Sequence, residues 1–185
     1  MRMMIDEARS LVHEWISNPA LRVHAECVAG CMATYADKLA PDQKTRWELA
    51  GLLHDLDWER HPNHEQHPFV GVKLLREKGV DEEILNAILG HADYSNTPRE
   101  SQMAKTLYAC DELAGFIVAC AKVRPNGIAD LEPRSVKKKL KDKAFAAAVN
   151  REDIARGIAE MGVDETQHIR TCIDAIRGQK DRLGV

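Results

Sequence analysis

The sequence predicts an all-α protein built as a single multi-helix domain. Apolar residues recur at the spacing of one helix face along most of the chain, and no two segments alternate as paired strands do. Aromatic residues are only 5% of the total, and alanine and leucine dominate the 44% that are apolar, which favours helices over strands. At 185 residues one domain, covering 1–185, is the default, and its core can form without a disulfide or a metal.

Prolines, glycines and cap residues bound the helices of the first half. Asp42 is a plausible N-cap for the third helix. The polar stretch 59–66 is predicted as a loop, after which His67-Pro68 opens a helix that Gly79 closes. The predicted helices span residues 3–16, 20–39, 43–57, 67–79 and 81–91.

The second half continues the helical pattern. A long helix over 99–122 is predicted, and the stretch Val123–Gly127 ends it. The last third, 133–180, is expected to hold two or three more helices. They begin with the basic run Lys137–Lys143 and include Asp153–Met161 and Glu165–Arg177. The basic run is predicted as a solvated helix face rather than a surface that steers anions.

Charge and composition exclude several classes of protein. The net charge of -3 argues against a large nucleic-acid footprint, which needs a basic surface. No uncharged run approaches the ~18 residues of a membrane span, and the N-terminus resembles no secretory signal, so we expect a cytoplasmic protein without membrane partners. Five cysteines, an odd number, fit reduced thiols in that compartment. Cys27 and Cys31 are predicted as small core residues. The others lack the spacing of a zinc motif: Cys110, Cys120 and Cys172.

Six imidazole and carboxylate side chains fall mostly on the inward faces of five predicted helices. They are His24, His54, Asp55, His67, His91 and Asp111. A single histidine on an apolar face is more often a hydrogen-bonded core residue than a ligand. Asp111, however, lies deep in its helix with few cationic partners on its face, and a buried charge is costly unless it is paired or bound to metal. Together the six therefore predict a metal site.

Four segments carry a resemblance to a known group of proteins. They read "LAGLLHDLD", "HPFVGVKLL", "ILNAILGHA" and "KTLYACDEL". Their contexts, and the order H…HD…H…H…D, resemble the HD-domain superfamily and in detail its compact bacterial HDIG-type phosphohydrolases. The similarity to HD-type diadenosine tetraphosphatases is looser. The resemblance covers about residues 20–122 and implies an HD-domain bundle, with a helical extension over about 123–180.

The resemblance also implies a metal centre. The residues implied for a first ion are His24, His54, Asp55 and Asp111. Asp55 would also bridge to a second ion held by His67 and His91. Many dinuclear members carry two adjacent histidines at the fourth element, whereas Gly90 precedes His91 here, so the number of ions, one or two, stays open. Imidazole and carboxylate ligands suit Fe, Mn, Zn, Ni or Co, with Mg as a further option.

The resemblance implies a phosphohydrolase that acts on a phosphate ester or anhydride of a small, nucleotide-type molecule. A water activated to hydroxide by ions that Asp55 bridges would attack phosphorus. Lys105 is the candidate cation for the phosphate, because a lysine often occurs there in the resembled proteins; its simpler role is a salt bridge with a neighbouring acid. The alternatives are a mixed-valent di-iron oxygenase on the same ligands, and a metal-stabilised regulatory domain without turnover. A monomer or a homodimer is expected.

Residues around the ligands keep open interpretations. Some nucleotidase relatives have an acid where Trp58 stands, so that catalytic-acid role does not transfer to this chain. Asp57 and Glu59, which flank it, either support the ligands from behind or belong to a solvated helix end. His61 and His64 are predicted as solvated loop residues without an apolar face to bury against.

Overall fold

The computed structural model describes residues 3–185, and within that range it contains ten α-helices and no strand, which confirms the all-α prediction. The helices are α1 (Ile5–Trp15), α2 (Pro19–Leu39), α3 (Lys44–Leu53), α4 (Phe69–Glu77), α5 (Glu82–Gly90), α6 (Gln102–Lys122), α7 (Pro133–Leu140), α8 (Arg151–Met161), α9 (Glu165–Arg177) and α10 (Lys180–Leu183). None of the helices in this range is long and apolar enough to cross a membrane.

Two 21-residue helices, α2 and α6, form the centre of the bundle. The α2 helix packs against α3, α6 and α9, and α6 also packs against α5, α8 and α9. Both central helices bury many small residues, such as Ala29 and Ala114, which allow neighbouring helices to approach closely. Phe116 of α6 is the largest fully buried side chain, and truncating it to alanine would cost about 3–5 kcal/mol.

Two glycines set how closely neighbouring helices approach. A Cβ atom on Gly51 of α3 would lie 2.8 Å from the Cα of Ala29 in α2. A Cβ atom on Gly157 of α8 would lie 2.6 Å from the Cα of Ala109 in α6. Carbon atoms do not pack this closely, so a side chain at either position would push the two backbones apart. The glycines therefore hold α3 and α8 against the two central helices.

The third helix begins at Lys44, one residue after the predicted start, but the predicted end at residue 57 was wrong. Asp42 lies within a 3-10 turn that precedes α3, and the helix has no side-chain cap. At its other end α3 stops at Leu53, and turns follow. Residues 54–60 form turns instead of continuing the helix. In this segment the Asp57 carboxylate accepts a hydrogen bond from the backbone N–H of Gly71, 2.6 Å away in α4. Long-range hydrogen bonding thus overrides the helical pattern of this segment.

The other helices of the first two-thirds are confirmed with shifts of a few residues. Gly79 follows α4 with a φ of 77°, the left-handed conformation that suits a glycine after a helix. Asp81 caps α5 by accepting a hydrogen bond from the N–H of Glu83. The long helix α6 begins at residue 102 rather than 99, because Ser101 caps it through the N–H of Ala104.

The C-terminal third contains α7 to α9 and the one-turn helix α10. Both α8 and α9 confirm the two helices predicted there. The basic run 137–143 extends beyond α7, which ends at Leu140. Its lysines are exposed or half-buried, and Lys137 pairs with Glu165 at 2.8 Å, as expected for a solvated helix face.

Candidate metal centre

Two of the six predicted ligands lie within the central helices, and four lie at the ends of shorter ones. His24 belongs to α2 and Asp111 to α6. The residues at helix ends are His54 and Asp55 after α3, His67 just before α4, and His91 after α5. The fold gathers all six into two clusters that share one residue, Asp55.

The first cluster is formed by His24, His54, Asp55 and Asp111. The Nε2 atom of His54 lies 3.2 Å from Oδ1 of Asp111 and 3.3 Å from Oδ2 of Asp55. The Nε2 atom of His24 lies 2.9 Å from the same Asp111 oxygen and 3.8 Å from Oδ2 of Asp55. Two imidazole nitrogens and two carboxylate oxygens therefore face a common point, an arrangement that could hold a transition-metal ion.

The second cluster uses the other oxygen of Asp55. Oδ1 of Asp55 lies 3.4 Å from Nε2 of His67 and 3.4 Å from Nε2 of His91. The two imidazole nitrogens are 3.2 Å apart. Because its Oδ2 faces the first cluster and its Oδ1 faces the second, Asp55 is placed to bridge two ions.

The buried histidine of the first cluster fits a bound cation. The Nδ1 atom of His54 lies 2.7 Å from the carbonyl oxygen of Gly51, which only accepts, so Nδ1 carries a proton. The Nε2 atom of His54 is buried, makes no hydrogen bond, and faces two carboxylate oxygens. In the neutral ring this atom presents a lone pair to the carboxylates, an arrangement that a shared positive charge would stabilise.

The electrostatics of the first cluster also favour a bound cation. Burial alone would lower the pKa of His54, but the carboxylates of Asp55 and Asp111 outweigh it and hold that pKa well above its usual value. Burial alone would raise the pKa of Asp111, but the His54 and His24 rings outweigh it and hold that pKa well below its usual value. The site thus favours positive charge beside its carboxylates, which a proton or a metal ion can provide.

Asp57 supports the second cluster from behind. Its side chain is 1% exposed, and its Oδ1 accepts a hydrogen bond from Nδ1 of His67 at 2.7 Å. Its Oδ2 accepts a hydrogen bond from the backbone N–H of Gly71. These bonds fix the His67 ring so that Nε2 faces the cluster. The geometry matches the first of the two interpretations of Asp57, in which its carboxylate supports a metal ligand from behind.

Glu59 has a different role, at the start of α2. Its Oε2 accepts hydrogen bonds from the backbone N–H groups of Ser17 and Asn18, at 2.8 and 3.0 Å. These residues lie immediately before the helix that carries His24. Glu59 therefore fixes the entry of α2 and makes no contact of this kind with the clusters.

A cavity of about 670 Å³ opens above the two clusters. Beyond the ligands its wall includes Trp58, His64, Asp93, Tyr94, Glu112, Asn150, Asp153 and Arg156. Trp58 packs edge-on against the ring of His67, with the ring centroids 4.9 Å apart. Burial, and then the nearby Asp111 carboxylate, raise the pKa of Glu112 to about 7. The volume suits a small-molecule ligand.

One loop histidine of the predicted pair reaches this cavity. His64 is exposed, as predicted, but its ring stacks on that of Tyr94 with the centroids 4.0 Å apart and the planes 13° from parallel. Both residues line the cavity. The loop between the HD pair and α4 therefore contributes to the rim, whereas His61 does not line it.

Arg156 of α8 is the one lysine or arginine that lines this cavity among the described residues 3–185. Its Nη1 contacts the carboxylate of Asp93 and lies 3.3 Å from the hydroxyl of Tyr108 and 3.7 Å from Asp153. Sequence reasoning missed it because α8 lies outside the segments that carry the resemblance, and nothing local marks one arginine of a surface helix.

Lys105 is not brought to the ligand clusters. It lines a neighbouring cavity that also includes Arg99 and Glu160, and Asp93 is the residue that both cavities share. Lys105 stands six residues before Asp111, which places the two side chains about 120° apart around the same helix. The expectation that Lys105 contacts a phosphate beside the ligands therefore lacks structural support.

The second cluster forms without a side chain at Gly90. A Cβ atom at this position would lie 3.1 Å from Cγ of Arg99 and 3.7 Å from the carbonyl oxygen of Thr97. A side chain here would begin toward the loop after α5 rather than toward His91 and Asp55. Both clusters form without a ligand from residue 90.

The comparisons with known proteins agree with this geometry. The family model described as "HD domain" matches residues 22–115, about half of the chain. All six clustered residues lie within the matched range. No curated protein and no solved structure gives a match.

Proposed function

Because the chain belongs to the HD-domain family, we propose that it is a metal-dependent phosphohydrolase that cleaves a phosphate ester or anhydride of a small molecule. The observation that carries this proposal is the position of Asp55, whose two oxygens face two separate sets of imidazole nitrogens. A carboxylate so placed suits a pair of ions better than a single one. We expect nucleotide-type compounds among the substrates.

The proposed division of the ligands follows the two clusters. His24, His54 and Asp111 would hold one ion, His67 and His91 the other, and Asp55 both. Such ions, when bound, lower the pKa of water and neutralise the oxygens of a phosphoryl group. Imidazole and carboxylate donors suit Mn, Fe, Co, Ni or Zn, and Mg is a further option.

The residues of the chain orient the site and the substrate. Asp57 keeps the lone pair of His67 directed into the cluster, and the Gly51 carbonyl does the same for His54. The Arg156 guanidinium, at the cavity wall, is placed to hold an anionic oxygen of the substrate. The Trp58 ring covers His67 and reduces its contact with water.

The test is a screen of phosphomonoesters, phosphodiesters and nucleotides with Mn²⁺, Fe²⁺, Co²⁺, Ni²⁺ and Mg²⁺. The wild-type protein should release phosphate or a nucleotide product from at least one substrate. Asp111→Asn should lower kcat/KM by about a hundredfold or more, because the negative charge of a metal ligand is lost. Asp174→Asn is the matched control, since this exposed aspartate of α9 pairs with Arg177 on its own helix and should retain activity.

Other outcomes would contradict the hydrolase. Full activity in Asp111→Asn would separate any hydrolysis from the clusters. Metal-dependent O₂ consumption with an organic substrate, and no phosphate release, would favour the oxygenase. Metal binding without turnover on any substrate would favour a regulatory domain.

A further inference from the structure

A second group of metal-ligating side chains lies in the helical core, away from the cavity. It contains Cys110 of α6 and His168 and Cys172 of α9, and Cys31 of α2 lies beside it. All four are fully buried, with 0% exposure, and the three thiols are free. The three helices that carry them are those that pack around the centre of the bundle.

The donor atoms of this group converge. Ligand atoms of Cys110, His168 and Cys172 all lie within 4.8 Å of one another. The thiol of Cys31 lies beside this group, 3.9 Å from the carbonyl oxygen of Cys172. Two sulfurs and one imidazole from α6 and α9 therefore converge, and the sulfur of Cys31 from α2 lies next to them. Three cysteines and one histidine are a donor set of structural zinc sites.

The imidazole is in the form that a metal requires. The Nε2 atom of His168 lies 2.9 Å from the carbonyl oxygen of Ala109 and must donate to it, so Nδ1 carries the lone pair. That lone pair accepts a hydrogen bond from the hydroxyl of Tyr35 at 2.5 Å. Burial lowers the pKa of His168, which keeps the ring neutral. Ligation through Nδ1 would require the Tyr35 hydroxyl to give up this bond.

The simpler interpretation is that buried cysteines fill space as small apolar residues. Cys27 and Cys120 fit that description, because each is buried without belonging to a group of donor atoms. Cys110 and Cys172 differ in that their sulfurs meet a histidine, and Cys31 differs in that its thiol contacts Cys172. Packing alone requires no such convergence, since alanine or valine would fill the same space without polar atoms.

We propose that Cys31, Cys110, Cys172 and His168 form a structural site for a thiophilic divalent ion such as Zn²⁺, separate from the candidate metal centre. Each thiol that binds releases its proton to solvent, and His168 binds through Nδ1. The ion ties α2, α6 and α9 together. Since α2 carries His24 and α6 carries Asp111, it also fixes the spacing of two ligands of the candidate centre.

Cobalt substitution tests the site, because only this group can give thiolate-to-cobalt charge-transfer absorption. The candidate centre contains nitrogen and oxygen donors alone. The protein, refolded with Co²⁺, should develop this near-ultraviolet band and saturate it at one ion per chain. Cys172→Ala should lose the band. Cys120→Ala, the matched control in α6, should retain it in full.

The wild-type result decides the proposal even if a cysteine variant fails to fold. Absence of the band in folded wild-type protein, with Co²⁺ in excess, would overturn it. A second measurement is the zinc content of His54→Ala/Asp55→Ala, in which the candidate centre is disabled. One zinc per chain should remain there, and a zinc content of zero would also overturn the proposal.

Discussion

The Nε2 atoms of His67 and His91 face each other at 3.2 Å, and the other nitrogen of each ring, Nδ1, contacts a hydrogen-bond acceptor. Nδ1 of His67 contacts the Asp57 carboxylate, and Nδ1 of His91 contacts the Ile88 carbonyl. With the Nδ1 protons so placed, two neutral rings would point lone pairs at each other. A cation between them, beside Oδ1 of Asp55, removes that repulsion.

Replacing Asp57 should weaken the second cluster selectively. In the wild type, both carboxylate oxygens of Asp57 accept hydrogen bonds, one from Nδ1 of His67 and one from the N–H of Gly71. In Asp57→Asn the amide oxygen can accept one of these bonds, but the amide NH₂ group then faces the other donor and cannot accept its hydrogen bond. We expect the affinity of the second ion to fall by about 10–100-fold while the first ion is retained. Equilibrium dialysis with Mn²⁺ measures both sites.

Glu59→Gln is the control for the Asp57 variant. Glu59 is two residues away but binds the entry of α2, so both ions should remain. Equal loss of the second ion in both variants would mean that a general disturbance of the 54–60 turns, and not the His67 contact, is responsible.

Arg156→Ala should raise KM more than it lowers kcat. The guanidinium is the one lysine or arginine side chain that lines the cavity within residues 3–185, so its removal takes away the charged donor proposed to bind the substrate. We expect a loss of about tenfold or more in kcat/KM. Lys105→Ala is the control, since Lys105 lines the neighbouring cavity. A larger loss in Lys105→Ala than in Arg156→Ala would reverse the assignment.

Gly157→Ala should destabilise the contact between α6 and α8. The new Cβ would lie 2.6 Å from the Cα of Ala109, and neither backbone can move cheaply. We expect a loss of about 1–3 kcal/mol in the free energy of unfolding, measured by urea denaturation. Gly178→Ala is the matched control, because its Cβ would meet nothing closer than 3.5 Å. Similar losses in both variants would contradict the close-approach argument.

His168 should make stability depend on pH. Because burial lowers its pKa in the folded protein, the unfolded chain binds a proton near pH 6.5 that the folded chain does not, so acid destabilises the wild type. With a chelator present, His168→Gln should cost about 1–3 kcal/mol at about pH 7.5, and this cost should shrink toward about pH 5.

Tyr35→Phe is the control for the His168 prediction. It removes the same hydrogen bond and leaves the titrating ring in place, so its cost should be equal at the two pH values. A pH-independent cost for His168→Gln would contradict the prediction. Unfolding followed by circular dichroism measures both variants.

Much of the fold could be predicted because its helices are locally encoded. Gly79, Asp81 and Ser101 bound helices through their own backbone preferences or caps, and these act within a few residues. The end of α3 could not be predicted in this way. It depends on the Asp57 carboxylate reaching the N–H of Gly71, a contact that exists only in the folded chain.

The residues of the candidate site could likewise be predicted only in part. The six clustered residues occur in motifs that the sequence displays, and the geometry brings all of them together. Arg156 comes from a helix outside those motifs, and Lys105 was chosen by its place in a motif although its side chain points elsewhere. In the thiol and imidazole group of the core, His168 and Cys172 lie four residues apart on α9, but Cys110 meets them only through helix packing.

The most direct test of the central claim is the metal content of the protein after loading with Mn²⁺, which prefers oxygen and nitrogen donors to thiolates. Inductively coupled plasma mass spectrometry should give about two ions per chain for the wild type. The same manganese content is expected for the control variant His13→Ala/Asp37→Ala, which changes two exposed residues. Almost no manganese is expected in His54→Ala/Asp55→Ala. Wild-type manganese content in the folded His54→Ala/Asp55→Ala protein would contradict the metal centre described above.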